Sequence, residues 1–349
     1  MSPGEESHSM ERPTTIVDVA KRAGVAISSA SSALNGRPGV SDATRTRVRK
    51  AADELGFVPS LRGRSLSSKR AYAVGLIVSR DADVFEEDPF FGGFLAGIES
   101  VLGVRGYALV LQMSTTVEEN TERYRRMALD RRVDGVFINE ITINDPRIPL
   151  LHELQLPAVA ITEARVDWTP AVVHDNTAVI RELVDYLYGL GHRRFGHVSG
   201  PRDFLHSCQR RNAWLDALRA HGISESVVTD GDFTYAGGAA AASKLLSRSD
   251  RPTAVFCAND LTAAGFQARA IDLGLSVPGD ISIAGYDGTA LSTYVRPALT
   301  TITTSPHALG ATAAALLLDR IDGRVGDNVE LEESRLVIRD STGPALTPR

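Results

Sequence analysis

Apolar side chains are spaced differently on the two sides of residue 70. From Thr15 to Leu55 they recur at helical intervals: Ile16, Val19, Ala20 and Ala23, then Ala30, Ala33 and Leu34, then Val48, Ala51, Ala52 and Leu55. The punctuation agrees with this spacing. Thr15-Ile16-Val17-Asp18 fits a capping box with Asp in place of Glu, and Gly24 stops the first helix after two turns. Asn35-Gly36 ends the second helix, Ser41 caps a third, and Gly56 closes it. Three short helices with a tight turn between the first two predict a helix-turn-helix unit. Past residue 70, β-rich runs (73–78, 107–113, 135–138, 158–161, 194–200, 254–258, 281–287) alternate with helical stretches such as 91–104, 176–190, 207–221, 259–273 and 307–322. That alternation predicts βαβ units, and a stretch this long favours two parallel sheets over one.

The second helix lies in "GVAISSASSALNG" (24–36), which has neither charge nor aromatic ring. With Ala30, Ala33 and Leu34 turned inward, Ile27, Ser28, Ser29, Ser31 and Ser32 are left outside. Taken alone, such a face favours packing on protein or plain solvent over a nucleic acid. Charge changes the picture. Residues 12–70 hold twelve Lys/Arg against four acids, a net +8 within a chain whose formal net charge is −5. A basic block on an acidic body points to a polyanion bound by the block alone. Short hydroxyls then let a helix backbone approach DNA closely and bond phosphates or base edges.

Residues 15–60, "TIVDVAKRAGVAISSASSALNGRPGVSDATRTRVRKAADELGFVPS", resemble the DNA-binding headpiece of the lac repressor and purine repressor (LacI/GalR) family. The resemblance continues through "DPFFGGFLAGIE" (88–99), "VDGVFI" (133–138), "GLGHRRFGHVSGP" (189–201), "AVFCANDLTAAG" (254–265) and "VPGDISIAGYDGTALSTYVRPALTTI" (277–302). It implies a small all-α helix-turn-helix headpiece, a hinge helix and an α/β two-lobed core like that of periplasmic binding proteins. It also implies a homodimer on a palindromic double-stranded DNA operator. The expected boundaries are a disordered tail at 1–12, the headpiece at 13–58, the hinge at 59–70 and the core at 71–345. Lobe 1 is expected at about 71–171 and 304–331, and lobe 2 at 172–303 and 332–345. Nothing after Ile338 has the heptads of a tetramerising coiled coil.

By this resemblance Thr15, Ile27, Ser28, Ser29, Ser31, Ser32 and Asn35 contact DNA. In the hinge, Leu66 is the apolar wedge for the minor groove, and Arg62 and Arg64 neutralise phosphates. Three residues depart from the family pattern. Ala26 stands where a Ser usually caps the recognition helix, Ser32 where an Arg usually stands, and Gly63 where the hinge usually has Ala. They predict a helix frayed at its start, weak direct base readout and a hinge helix formed only on DNA.

The core is expected to bind a small effector between its lobes, through Phe90, Phe91, Thr162, Arg210, Phe233, Asn259 and Asp287. Arg, Asn and Asp beside aromatic rings suit a polyhydroxylated ligand, a sugar first and a purine second. Thr162 replaces an Asp common in the family, with Glu163 beside it as the available compensation. No catalytic motif is present: the histidines are scattered, no Gly-rich loop has a lysine at phosphate-binding spacing, and Cys208 and Cys257 have no metal spacing. A regulator without cofactor or metal is expected, cytoplasmic and off the membrane, with neither signal peptide nor apolar span in view.

Overall fold

The computed structural model describes residues 14–36, 38–58, 68, 70–163, 165–166, 168–324, 326–331 and 334–346; of Asp83 and Val84 only the backbone is described. It divides into two compact units at Tyr72/Ala73.

The first unit is a trihelical bundle of α1 (Ile16–Ala23), α2 (Ile27–Leu34) and α3 (Asp42–Glu54). The Asp18 carboxylate accepts from the Thr15 N–H at 2.8 Å and from the Thr15 hydroxyl at 2.6 Å. Ser41 Oγ accepts from the Thr44 N–H and so caps α3. All three helices share one core of Val19, Ala20, Ala23, Ala30, Ala33, Val48, Ala51 and Ala52, which are the positions their spacing turned inward. Small residues dominate it, so the helices approach closely. Arg47 crosses the bundle and donates to the Ala23 carbonyl at 2.9 Å.

The second unit has two lobes, each built on a six-stranded sheet. In lobe 1 the strand order is β11 (Val329–Glu330), β5 (Ala171–Val173), β4 (Ala158–Thr162), β3 (Gly135–Ile138), β1 (Ala73–Val78), β2 (Ala108–Met113), all parallel. Lobe 2 runs β12 (Arg335–Val337), β10 (Thr300–Thr303), β9 (Ser282–Asp287), β8 (Ala254–Cys257), β6 (Phe195–Ser199), β7 (Ser226–Asp230). There only β12 is antiparallel to its neighbour. The central strands β1, β3, β6, β8 and β9 are buried along their whole length, as a parallel sheet covered on both faces requires.

The chain crosses between lobes after β5, after β10 and between β11 and β12. The first crossing corrects a boundary. A lobe 1 ending at 171 would cut β5, whose ladder with β4 runs on through Ile161–Val172 and Thr162–Val173. Lobe 1 therefore keeps residues 172 and 173.

In each lobe one pair of helices crosses at glycine. In lobe 1 they are α5 (Pro89–Arg105) and α13 (Pro306–Ile321), where a Cβ on Gly97 would collide with the His307 carbonyl. In lobe 2 they are α10 (Tyr235–Leu246) and α11 (Asp260–Asp272), where a Cβ on Gly265 would collide with the Tyr235 carbonyl. These contacts bring backbone against backbone and fix where the N-termini of α5 and α11 open. Both N-termini face the cleft.

Candidate DNA interface and effector site

On the first unit, α2 presents an outer face without charge. Ile27 is 51% exposed, a position at which a large aliphatic side chain has no core role. Ser28 is exposed beside it, and Ser29, Ser31 and Ser32 are half-buried. No side chain caps the helix at Ala26, so its first amides stay open to an outside acceptor such as a phosphate. Two of the expected contacts are already engaged. Asn35 donates its amide to the Ser31 carbonyl at 2.9 Å and hydroxyl at 3.3 Å, closing the helix. Thr15 spends its hydroxyl on Asp18. Arg62, Arg64, Leu66 and Gly63 lie outside the described residues.

In the second unit, the carboxyl ends of the central strands converge on one cavity of about 90 Å³. Phe90, Phe91 and Thr162 line it from lobe 1, and Arg210, Phe233, Asn259 and Asp287 from lobe 2. All seven expected residues thus border one space. Thr162 and Asp287 end their strands, and Phe233 and Asn259 stand between a strand and the next helix, while Phe90, Phe91 and Arg210 lie in the first two turns of helices that open on the cleft.

The cavity holds more charge than the sequence suggested. Arg80, Asp88, Glu140, Glu163, His174 and His206 line it as well. Two Arg–Glu pairs sit at its edge. Arg210 Nε donates to Glu163 Oε1 at 2.8 Å and Nη1 to the Ala258 carbonyl at 2.8 Å, while its guanidinium lies 3.7 Å from the Tyr286 ring centroid. Glu163 therefore holds Arg210 rather than replacing the carboxylate missing at Thr162. Arg80 pairs with Glu140, whose other oxygen accepts from the Ser79 N–H at 2.8 Å.

Two carboxyls remain outside these pairs. Asp88 caps α5 by accepting from the Phe90 N–H at 3.0 Å and reaches Asn259 Nδ2 at 3.5 Å across the cleft. Asp287 lies opposite at a backbone φ of 97°, a region that side chains rarely adopt and that marks functional positions. Burial raises both pKa values, Asp287 well above the usual range; at Asp287 the Arg210 charge opposes the rise and Asp88 adds to it, while at Asp88 the Phe90 N–H and the Arg80 charge oppose it. Asn259 spends both Nδ2 hydrogens, on the Phe233 carbonyl at 3.0 Å and on Asp88 at 3.5 Å, and Oδ1 accepts from the Thr262 N–H at 2.9 Å, which leaves one acceptor site for a ligand.

Rings form one wall. His206 stacks between Phe204 and Phe233, 5.5 Å from each. The Arg80 guanidinium faces Phe233 at 4.7 Å. The stacking role that the resemblance gives Phe233 toward a ligand is thus taken up by His206. Burial holds the His206 pKa well below normal, with Arg210 and Arg80 adding to the effect, so the ring is neutral. Phe90 is the half-buried ring left facing the space, with Phe91 edge-on behind it at 5.5 Å.

The lobes are hooked together at the cleft mouth. Thr142 and Phe204 form an antiparallel bridge, flanked by Leu205 N–H to Ile141 O at 2.8 Å and Ile143 N–H to Asp203 O at 3.3 Å. With the Arg210–Glu163 and Asp88–Asn259 contacts, these define a closed cleft. Among the described residues no cluster of His, Cys, Asp or Glu is placed to hold a metal, and no helix is long and apolar enough to cross a membrane.

A helix-turn-helix unit in one chain with a two-lobed core enclosing a polar, ring-walled cavity defines a ligand-responsive DNA-binding regulator. Comparison with known proteins agrees. The profile for bacterial regulatory proteins of the lacI family matches residues 15–60, and that for a periplasmic binding protein-like domain matches 184–342. The transcriptional regulator CelR of Thermobifida fusca is 33% identical over 339 residues, spanning 95% of this chain and 98% of its own. The repressor CytR of Escherichia coli K12 is 34% identical over 337 residues, spanning 95% and 97%. Among solved structures, the lac repressor dimer bound to operator and the anti-inducer ONPF has a TM-score of 0.80 at 28% identity, over 95% of this chain and all of that one. A CelR–cellobiose complex has a TM-score of 0.72 at 32% identity with the same coverage. The chain belongs to the lacI family of bacterial regulatory proteins and is a DNA-binding transcriptional regulator.

Proposed function

We propose that this regulator represses genes of carbohydrate uptake or breakdown, as a homodimer on a palindromic operator, and releases DNA when a sugar-like polyol fills the cleft. One observation carries the effector class: Asp88 and Asp287 face the same closed cavity from opposite lobes, neither ion-paired among the described residues. Carboxylates in that state call for a ligand rich in hydroxyl donors, and Phe90 supplies apolar cover for a sugar face. A polyol bridging the two aspartates ties the lobes at one fixed angle. That coupling of lobe angle to the segment before Ala73 is the means of switching operator affinity.

On the DNA side, Ile27, Ser28, Ser29, Ser31 and Ser32 are the base-facing candidates, with Thr15 and Asn35 holding the helix ends. The hinge residues Arg62, Arg64 and Leu66 complete the interface in this reading. The cytoplasm is the compartment that this role requires, and no reaction is assigned to the cleft. The Phe204–His206–Phe233 wall also suits a flat heterocycle, which keeps purines and nucleosides as the second reading. The test is a thermal-shift screen of sugars, nucleobases and nucleosides. A specific sugar should raise Tm by mass action, whereas a response to nucleobases alone would replace the sugar reading by the second.

A further inference from the structure

We propose that His206 limits the effector site to a ligand of a single ring. The inference rests on the carbohydrate reading above and adds to it a size and a residue. The cavity of about 90 Å³ is smaller than the roughly 150 Å³ that takes one benzene, so a single ring already has to widen it and a second ring has no room.

A stack of three rings closes the cavity on one side. His206 fills the gap between Phe204 and Phe233 as the middle ring of a near-parallel stack, tilted 21° and 15° from its neighbours. Arg80 from the opposite lobe lies over Phe233 at 4.7 Å and over Phe204 at 5.8 Å. Glu140 fixes Arg80, so the wall is tied across the cleft.

Beyond the wall lies a second hollow of about 130 Å³. Glu140 borders both spaces, and Phe204 borders the second. The second hollow is lined by hydroxyls of Ser79, Thr115 and Thr142 and by Asn120 and Arg147, each 3% exposed. Asn120 Oδ1 and Arg147 Nη1 have no hydrogen-bond partner. This space has the polarity for a second sugar unit, and the stacked wall keeps it separate from the first. Removing the middle ring leaves Phe204 without its partner and joins the two hollows, which turns a one-ring site into a two-ring site.

The test uses the full-length chain in thermal-shift titrations with glucose, galactose, mannose and ribose against cellobiose, maltose and lactose. Wild type, His206→Ser and His206→Phe are compared. Wild type should respond to a single-ring sugar at a concentration at least about tenfold below that of any disaccharide. His206→Ser should gain a disaccharide response by about the same factor, and His206→Phe, which keeps a ring in the stack, should behave as wild type. A wild type that responds equally well to a disaccharide overturns the proposal and leaves the carbohydrate reading standing. So does a cooperatively melting His206→Ser that still takes one ring and gains nothing. If His206→Ser does not fold, the wild-type ranking decides. If wild type answers no carbohydrate, the carbohydrate reading fails, and nucleobases against nucleosides in the same titration then test the size limit: a nucleoside matching its base overturns it.

Discussion

Asp287 carries more of the cleft's chemistry than any other single residue. Its carboxyl is buried, its φ lies in the left-handed region, and its charge is opposed by burial and by Asp88. A ligand that donates hydroxyls to it stabilises the charged form, so affinity should rise with pH and fall as the carboxyl takes up a proton. Asp287→Asn should cost about 1.5–3 kcal/mol of binding, the range for hydrogen bonds to a charged group, and flatten that pH dependence; calorimetry with the effector across pH measures both. A second residue sets the acid limit of the fold. His197 is fully buried, donates from Nδ1 to the Phe256 carbonyl at 2.9 Å, and leaves Nε2 without a partner among the described residues. Burial lowers its pKa to about 4, as it does for His174. The folded pKa lies below the unfolded one, so stability is complete above the unfolded value and drains away as pH falls toward 4, by on the order of 3 kcal/mol for each histidine. Melting curves of His197→Asn should show a shallower acid limb than wild type; an unchanged limb would mean that other groups control it. At this scale the sequence was only partly legible. The seven expected cleft residues were found through family motifs. Arg80, Glu140 and His174 went unseen because each stands just beyond a strand, in loops with no periodicity to mark it, and His206 because it opens a helix whose expected start was 207.

Among the elements, α2 is the least supported helix of the headpiece. It has no side-chain cap at Ala26, no acid in its first turn and no base in its last. Ala26→Ser should restore a cap worth about 1 kcal/mol and raise hydrogen-exchange protection of the α2 amides about fivefold. No gain in protection would show that DNA-free α2 is held by its core face alone. The crossings at Gly97 and Gly265 make the opposite case, since each is packed without slack. Gly265→Ala should cost roughly 1–3 kcal/mol by overpacking, read as a lower midpoint in urea with an unchanged slope. Legibility followed contrast. The helices of the headpiece and α5, α8 (Thr177–Gly189), α9 (Leu205–Ala220), α11 and α13 were visible in the sequence. Among those not singled out were α6 (Val117–Leu129), whose buried face is only Asn120, Tyr124 and Met127, and α10, whose Ala- and Gly-rich stretch shows no amphipathic contrast. Strands β5, β11 and β12 are two or three residues long and left no pattern.

For the molecule as a whole, charge divides as function does. The basic block at 12–70 gives operator binding a steep salt dependence, while the acidic core contributes none of it. Domain order and the two-sheet core could be read from texture alone. The three crossings could not be placed to the residue, because β5 continues to Val173 without any change in composition. The central claim is that ligand in the cleft and operator on the headpiece oppose each other through one chain. It is tested most directly by anisotropy titration of the full-length protein on a DNA site selected with it, with and without the effector found by thermal shift. The account predicts a dyad-symmetric site whose Kd weakens at least about tenfold when effector is added, in line with ordinary allosteric coupling. An asymmetric site, or an operator affinity that does not change when the cleft is saturated, would contradict it.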